Sequence, residues 1–308
     1  MITSRRLQVV ACAGLLLASV PAVTLASAAP NSAPDRAVTS HAPAVSTLVA
    51  VRASHHPGFD RLVFQFSGPV PAERSVRYVP RVIADGSGLS VRVVGHAFLQ
   101  VRFAPAIGHD DSGQITYRPR VLTFALPDVI QVVPAGDFEA VLNFGVGLAR
   151  REPVRVSTLT SPSRMVIDIG TPFKTVTVKN YFIDRHRVAT GHTPYTRPVN
   201  RPVIPPSTAS GALQRLFAGP TQAEYDTGLR FVNSKATGFK KLSIRDGVAR
   251  VTLTGGCHSN GSTVTVANEI VPTLKQFRSV HWVKIYDPSG HTQRPYGHSN
   301  SIPDCLEP

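Results

Sequence analysis

The sequence predicts an N-terminal all-β sandwich followed by a C-terminal α+β domain, both placed after a signal peptide. Apolar and polar residues alternate through most of residues 49–171, which is the spacing of half-buried β-strands. Helical spacing of apolar residues occurs only after residue 174, where it is mixed with strand-like runs. The only stretch apolar enough to enter a membrane is at the N-terminus, so the sequence excludes a polytopic membrane protein.

The N-terminus carries the three parts of a secretory signal peptide. Arg5 and Arg6 precede an apolar run over residues 7–25, and an A-x-A cleavage site ends at Ala28. We therefore expect a signal peptide over residues 1–28, secretion, and no membrane span after cleavage. An Ala-, Ser- and Pro-rich tether is expected over residues 29–43.

Two other interpretations of the N-terminus are less well supported. The residues ending at Cys12 resemble a lipoprotein cleavage box, but the long apolar stretch follows Cys12 instead of preceding it. An uncleaved membrane anchor is disfavoured because Pro21 interrupts the apolar run and small residues follow at once.

Residues 44–172 are expected to form the β-sandwich. Alternating apolar residues mark strands around Leu62, Leu99, Leu122 and Met165, and turn sequences rich in Gly, Pro and Asp separate them. This half contains no convincing helical stripe. Several short strands at this spacing are typical of sandwiches and barrels.

Residues 173–308 are expected to combine strands with helices. Gly219 ends one predicted helix, Thr221 and Glu224 form a capping-box pattern for the next, and Pro272 predicts a kink in the last. In chain order the predicted elements are a strand over 176–183, an edge strand within 195–199, helices over 209–217 and 221–228, a hairpin over 242–253, a helix over 267–277 and a strand over 280–286.

Two of the three cysteines remain after signal cleavage, because Cys12 leaves with the signal peptide. An exported protein meets an oxidising environment, where a single even pair most simply forms one disulfide. We therefore predict a Cys257–Cys305 bond that ties the C-terminal tail to the loop after the hairpin; the alternative is two unpaired buried thiols.

The basic character belongs mostly to the C-terminal half. The chain carries a formal net charge of +14. Residues 29–172 hold 14 Arg, no Lys and 11 acidic residues, whereas residues 173–308 hold 17 Lys and Arg against 8 acidic residues. A strongly basic domain favours anionic partners.

The predicted hairpin concentrates this charge. A two-residue turn at Asp246-Gly247 sets the register and places the apolar side chains on one face. Lys241, Arg245 and Arg250 then share the other face, with Lys241 opposite Thr252. Fixed cations on a rigid hairpin suit the phosphates or carboxylates of a polyanion; alternatively, they only keep an exposed sheet face soluble. Nucleic acid is disfavoured as a partner, since secretion removes it and no stacking motif accompanies the charge.

No motif of a known reaction occurs in the sequence. A G-x-S-x-G elbow, an H-E-x-x-H pair and a Walker loop are all absent. His258, His291 and His298 match no standard zinc spacing, and Asp110-Asp111 is interpreted as a turn. We therefore expect no catalytic residue, no cofactor and no metal.

The N-terminal half resembles the AMIN-like domain of secreted actinobacterial proteins. The residues that carry this resemblance are Gly58 to Phe64, Val76 to Val79, Gly136 to Glu139 and Ser163 to Asp168. AMIN domains are small β-sandwiches that hold cell-wall enzymes and envelope machinery at peptidoglycan. The resemblance therefore implies a sandwich fold and a location at the cell envelope.

The C-terminal half resembles a GerMN domain, the module named from a spore-germination protein and also found in envelope lipoproteins. Its most specific part is Gly219-Pro220-Thr221 with Glu224 and Gly228-Leu229. Further similarity lies in residues 176–182, 212–216, 246–249, 273–277 and 280–285, in the expected order. The tail with Cys257 and Cys305 departs from the minimal pattern. The resemblance implies an α+β fold and no catalysis.

Together these observations predict a secreted, non-catalytic protein of the cell envelope. Its expected partner is peptidoglycan or an anionic wall polymer, and it would bind this partner or scaffold a cell-wall complex that includes an envelope protein. The alternative is a cell-wall hydrolase or transferase whose active site matches no known motif. A secreted regulator of a partner protein would look the same in sequence.

Overall fold

The chain forms two β-rich halves, and the computed structural model describes them over residues 44–119 and 121–308. The expected signal peptide and tether, residues 1–43, lie outside the described residues. The N-terminal half is all β and the C-terminal half is α+β, as the sequence predicts.

Within the described residues, twelve strands build the N-terminal half. They are β1 (Ser46–His56), β2 (Phe59–Ser67), β3 (Glu73–Val79), β4 (Val82–Ile83), β5 (Ser90–Val91), β6 (Ala97–Ala104), β7 (Ala106–Ile107), β8 (Leu122–Thr123), β9 (Val129–Phe138), β10 (Val141–Leu148), β11 (Val154–Thr160) and β12 (Ser163–Gly170). One sheet has the order β11-β12-β2-β1-β7, the other has the order β3-β6-β10-β9-β8, and β4 pairs only with β5.

Aromatic side chains hold these two sheets together. Phe64 of β2 lies 5.1 Å from Phe103 of β6 and 5.2 Å from Phe144 of β10, measured between ring centroids. All three rings are fully buried. Successive side chains of a strand point to opposite faces of the sheet, so apolar residues at every second position all face this core. This is why the alternating sequence predicts a sandwich.

Six strands, four α-helices and a short 3₁₀-helix (Asp304–Leu306) build the C-terminal half. The strands and α-helices are β13 (Val176–Asp184), α1 (Arg185–Ala189), β14 (Thr196–Val203), α2 (Thr208–Ala218), α3 (Gln222–Asp226), β15 (Leu229–Arg230), β16 (Ala236–Arg245), β17 (Val248–Gly255), α4 (Ala267–Lys275) and β18 (Trp282–Tyr286). Two three-stranded sheets have the orders β14-β13-β15 and β16-β17-β18. The strands β17 and β18 are parallel.

Local sequence signals set the helix ends. Gly219 follows α2 with a φ of 87°, a conformation that favours glycine. Thr221 and Glu224 form the predicted capping box of α3. The one-turn helix α1 was not predicted; it begins after Asp184 because the Asp184 carboxylate accepts hydrogen bonds from the backbone N–H groups of His186 and Arg187.

Helices α2 and α4 pack on β13 and on the hairpin sheet. Leu213 and Phe217 of α2, Ile270 of α4 and Val251 of β17 belong to one buried apolar cluster. This shared core explains the mixed helical and strand spacing in the sequence of the C-terminal half.

The two halves are joined by a buried arginine. Arg215 of α2 donates hydrogen bonds to the carbonyl oxygens of Leu126 (2.7 Å), Pro127 (2.9 Å) and Phe124 (3.3 Å) in the N-terminal half. Thr123 reaches back to the carbonyl oxygen of Ala218 at 2.7 Å. Arg215 is 2% exposed, and burial lowers its pKa to about 10, so it stays charged at neutral pH. The described halves form one compact unit.

Candidate functional site: a basic hairpin face

The candidate site lies on the hairpin of β16 and β17. Its turn residues Asp246 and Gly247 have φ values of 52° and 73°, as a two-residue hairpin turn of this kind requires. The register pairs Arg245 with Val248 and places Arg250 opposite Ser243, as the sequence predicts.

The predicted position of Lys241 is wrong. The register shifts between Lys240 and Ser243, so that Lys240 is the residue opposite Thr252. The cause is a β-bulge, in which Lys241 takes a φ of 53° and leaves the ladder. Lys241 is exposed at this bulge and does not take its expected place on the shared face.

We call Lys240, Arg245 and Arg250 the hairpin face. Lys240 and Arg245 are exposed and Arg250 is half-buried. Within the described residues, none of these three side chains forms an ion pair. The opposite side of β17 is buried in the core through Ala249, Val251 and Leu253, so the sheet holds these charges on a rigid base.

A buried lysine limits the hairpin face on one side. Lys284 of β18 pairs in register with Arg250, and it is fully buried. Its ammonium group donates to the carbonyl oxygens of Arg294 and Tyr296 and to Ser299 Oγ, which satisfies the three donors of a lysine. Burial, followed by the nearby charges of Arg250 and Arg294, lowers the pKa of Lys284.

The segment that covers Lys284 is an ordered strap over residues 287–301. Ser301 pairs with Lys284 in an isolated bridge, and its Oγ accepts a hydrogen bond of 2.8 Å from the backbone of Arg294. Arg294 and Tyr296 are exposed, and Tyr296 is 89% exposed. The strap therefore presents one more cation and an aromatic ring beside the hairpin face.

The predicted disulfide is present and fixes the chain around the strap. Cys257 follows the hairpin and Cys305 follows the strap, and their Cα atoms are 5.6 Å apart. Both cysteines pack against the apolar core of the C-terminal half. The bond closes a loop with a sequence separation of 48 residues.

In residues 44–119 and 121–308 no three His, Cys, Asp or Glu side chains lie close enough to hold a metal ion. His291 Nδ1 lies 3.7 Å from the carboxylate of Asp287, within the strap.

Four residues at or beside this site were not predicted from the sequence: Lys240, Lys284, Arg294 and Tyr296. The bulge had a local signal, because Phe239 and Leu242 are three residues apart where an unbroken strand would place apolar residues two apart. Lys284 had none, since Val283-Lys284-Ile285 is also the pattern of a strand with one exposed face.

Both halves of the chain match known domain families. Residues 46–171 match the AMIN-like domain, and residues 179–286 match the Germane domain, described as "Sporulation and spore germination". No curated protein and no solved structure matches the chain. AMIN-like domains are associated with the cell envelope and peptidoglycan, and Germane domains with spore germination.

The strap and Cys305 lie beyond the residues matched to the Germane domain. None of the helices in the described part of the chain is long and apolar enough to cross a membrane. The AMIN-like domain points to the cell envelope or the extracytoplasmic space. The chain contains an AMIN-like domain followed by a Germane domain, in the order that its sequence predicts.

Proposed function

We propose that this chain is a secreted, non-catalytic envelope protein that binds anionic polymers of the cell wall through the hairpin face. The observation that carries the proposal is the group of three cations on one rigid sheet, Lys240, Arg245 and Arg250, none of which forms an ion pair among the described residues. Lys240 Nζ donates to the carbonyl oxygen of Pro288 at 3.5 Å, a neutral acceptor that leaves its charge unbalanced. A chain whose other half is an AMIN-like domain would meet such polymers at peptidoglycan.

The charge arrangement suits a repeating anion better than a single one. Lys240 and Arg245 lie along β16, and Arg250 lies on the adjacent strand β17. The axes of two adjacent strands are about 5 Å apart. Fixed positive charge attracts phosphates or carboxylates spaced along a polymer, and salt screens this attraction. Arg294 and Tyr296 on the strap extend the surface with a cation and a ring that can pack on a sugar.

The two halves contribute different kinds of binding in this proposal. The N-terminal half, with a small net charge, binds peptidoglycan through shape and hydrogen bonds, and this part survives high salt. The C-terminal half binds through charge. Its share is mostly lost at 1 M salt, where the Debye length is about 3 Å.

Sedimentation with purified cell walls tests the proposal. The full chain is compared with a variant carrying Lys240→Glu, Arg245→Glu and Arg250→Glu across a salt series. At low salt the variant is expected to bind about tenfold more weakly. At 1 M salt the two proteins are expected to bind equally. The core side of the hairpin is unchanged, so the variant keeps its fold.

A matched control separates position from net charge. Arg77→Glu, Arg81→Glu and Arg155→Glu make the same charge change on exposed arginines of the N-terminal half, and wall binding should then change far less. Equal losses in both variants would contradict a role for the hairpin face. Release of soluble sugar or peptide from the walls would instead favour the alternative, a hydrolase or transferase.

A further inference from the structure

A cleft of about 730 Å³ lies at the opposite end of β16 from the hairpin turn. Its walls come from α1, from the segment before β16 and from the loop after Cys257. The volume is within the range of about 300–1,000 Å³ that small-molecule sites occupy.

Three cations line this cleft, and two of them have unpartnered side chains; the third, Arg230, donates to the carbonyl oxygens of Tyr225 and Leu229. Arg185 and Lys235 are both exposed, and neither side chain has a hydrogen-bond or ion-pair partner among the described residues. No Asp or Glu is among the described residues that line the cleft. Because charge of one sign converges in a concave site, the cleft is complementary to a small anion.

Neutral groups complete a surface for a hydroxylated ring. His258 Nδ1 accepts a 2.7 Å hydrogen bond from the backbone of Asn260, so the neutral ring carries its proton on Nε2. Asn233 adds a side-chain amide to the lining. Ile183 and Val232 supply an apolar floor. Amide, imidazole and apolar groups beside cations are the surface that an anionic sugar needs.

The cleft is held in one shape by buried contacts. Ser234 Oγ accepts a hydrogen bond from the backbone N–H of Val266 at 3.1 Å, and the carbonyl oxygen of Ser234 accepts one from the backbone N–H of His258 at 2.9 Å. The buried carboxylate of Glu269 accepts from the backbone of Ile183 at 3.2 Å and of Val232 at 3.0 Å. The floor and two walls are therefore fixed before a ligand arrives.

Backbone strain is concentrated at the same place. Ser234, Lys235 and Asn260 have φ values of 49°, 64° and 54°, which non-glycine residues rarely adopt. Such conformations cluster at functional sites.

We propose that this cleft binds a small anionic saccharide, one sugar unit bearing a carboxylate or a phosphate, through Arg185 and Lys235. The ring lies over the apolar floor, and His258 Nε2–H and the Asn233 amide hydrogen-bond its hydroxyl or amide groups. This site is separate from the hairpin face and does not depend on polymer binding there.

Titration calorimetry with three sugars tests the chemistry. N-acetylmuramic acid carries a carboxylate and N-acetylglucosamine 6-phosphate carries a phosphate, whereas N-acetylglucosamine is neutral. At least one of the anionic sugars is expected to bind the full chain about tenfold or more tighter than the neutral sugar. Equal affinity for all three, or binding of none, would overturn the proposal. Binding of only one anionic sugar supports it and identifies the anionic group.

Variants then test the position of the site. Arg185→Gln with Lys235→Asn removes both cations, and Asn tolerates the left-handed backbone of residue 235. We expect a loss of binding of about 30-fold or more. Arg155→Gln with Lys174→Asn removes the same charge from exposed residues outside the cleft and should leave binding unchanged. Equal losses in the two variants would contradict the assignment.

A measurement on the unmodified chain covers the case in which the cleft variant does not fold. The ring nitrogens of His258, observed by NMR, are expected to shift on addition of the anionic sugar that binds. A bound sugar that leaves the His258 signals unchanged would place it elsewhere. The hairpin-face variant is expected to keep full sugar affinity, so failure of polymer binding and failure of this proposal give different results.

Discussion

The two halves of the molecule bury different sets of charged groups. Within the described residues, the N-terminal half buries the acids Asp60, Asp128 and Glu152 and no Lys or Arg, whereas the C-terminal half buries the cations Arg201, Arg215 and Lys284 together with the acids Asp184 and Glu269. Only the C-terminal half contains lysine, and its excess of cations reaches both its surface and its interior. Buried cations among the described residues therefore occur in the half whose sequence is the more basic.

Backbone groups satisfy most of these buried charges. Asp60 accepts hydrogen bonds from the backbone N–H groups of Asp128 and Val129, at 2.7 and 2.9 Å. Arg215 and Lys284 donate to backbone carbonyl oxygens. Because a buried charge that lacks partners is expensive, each of these side chains fixes the loop that surrounds it. Buried charged side chains therefore connect separate parts of the chain: Arg215 joins the two halves, and Lys284 anchors the strap to β18.

The largest expected effect comes from removing the charge that joins the halves. Arg215→Met leaves the carbonyl oxygens of Phe124, Leu126 and Pro127 buried without their donor, and we expect the free energy of unfolding to fall by about 5 kcal/mol. Urea denaturation followed by tryptophan fluorescence and circular dichroism measures it. Arg278→Met, at an exposed arginine, is the control. If Arg215→Met lowers the free energy of unfolding no more than this control does, the buried charge of Arg215 does not hold the two halves together.

The disulfide gives the next largest effect. Cys305→Ser opens the loop between residues 257 and 305, which the chain-entropy model values at about 4 kcal/mol. We expect a lower melting temperature and faster proteolysis within the strap. Wild-type protein treated with a reductant is the matched comparison and should behave in the same way. Unchanged stability in both samples would show that Lys284 and the core hold the strap without the bond.

A buried acid of the N-terminal half gives a pH-dependent effect. Burial raises the pKa of Asp128 to about 7, with Asp60 and Glu152 adding to the rise and Arg215 opposing it. A folded pKa above the unfolded value means that the folded chain holds a proton that the unfolded chain has lost. This contribution to stability therefore falls as pH rises from about 4 to 7, by about 2–4 kcal/mol.

Asp128→Asn sharpens this prediction. The amide keeps an acceptor for the backbone N–H of Arg150, which donates to the carboxylate at 2.8 Å, and it cannot ionise. We expect the variant to be more stable than the wild type at pH 8 and similar to it at pH 4, as measured by urea denaturation. Asp111→Asn, at an exposed carboxyl, serves as control. A difference between the Asp128 variant and wild type that is independent of pH would contradict the assignment.

The sequence predicts most of the fold because most of the signals are local. The alternation around Phe64, the Gly219 end of α2 and the capping box of Thr221 and Glu224 act within a few residues, and the structure confirms each of them. The turn at Asp246 and Gly247 belongs to the same class.

The site was predictable only in part, because its remaining features depend on distant contacts. Lys284 is buried only because residues 287–301 fold back over β18, and no spacing within β18 reports this. Lys241 leaves the hairpin ladder because of a bulge. Arg215 appears on a helix whose pattern predicts one apolar face, and its partners lie 88 or more residues away.

The most direct test of the central claim compares intact cell walls with walls stripped of their anionic polymers. The full chain is sedimented with each at low salt. We expect binding to stripped walls to be about tenfold weaker than to intact walls, and the residual binding to be insensitive to salt and to the Lys240→Glu, Arg245→Glu and Arg250→Glu substitutions. Equal binding to both kinds of wall at low salt, still reduced by those substitutions, would contradict the claim that the hairpin face recognises an anionic polymer.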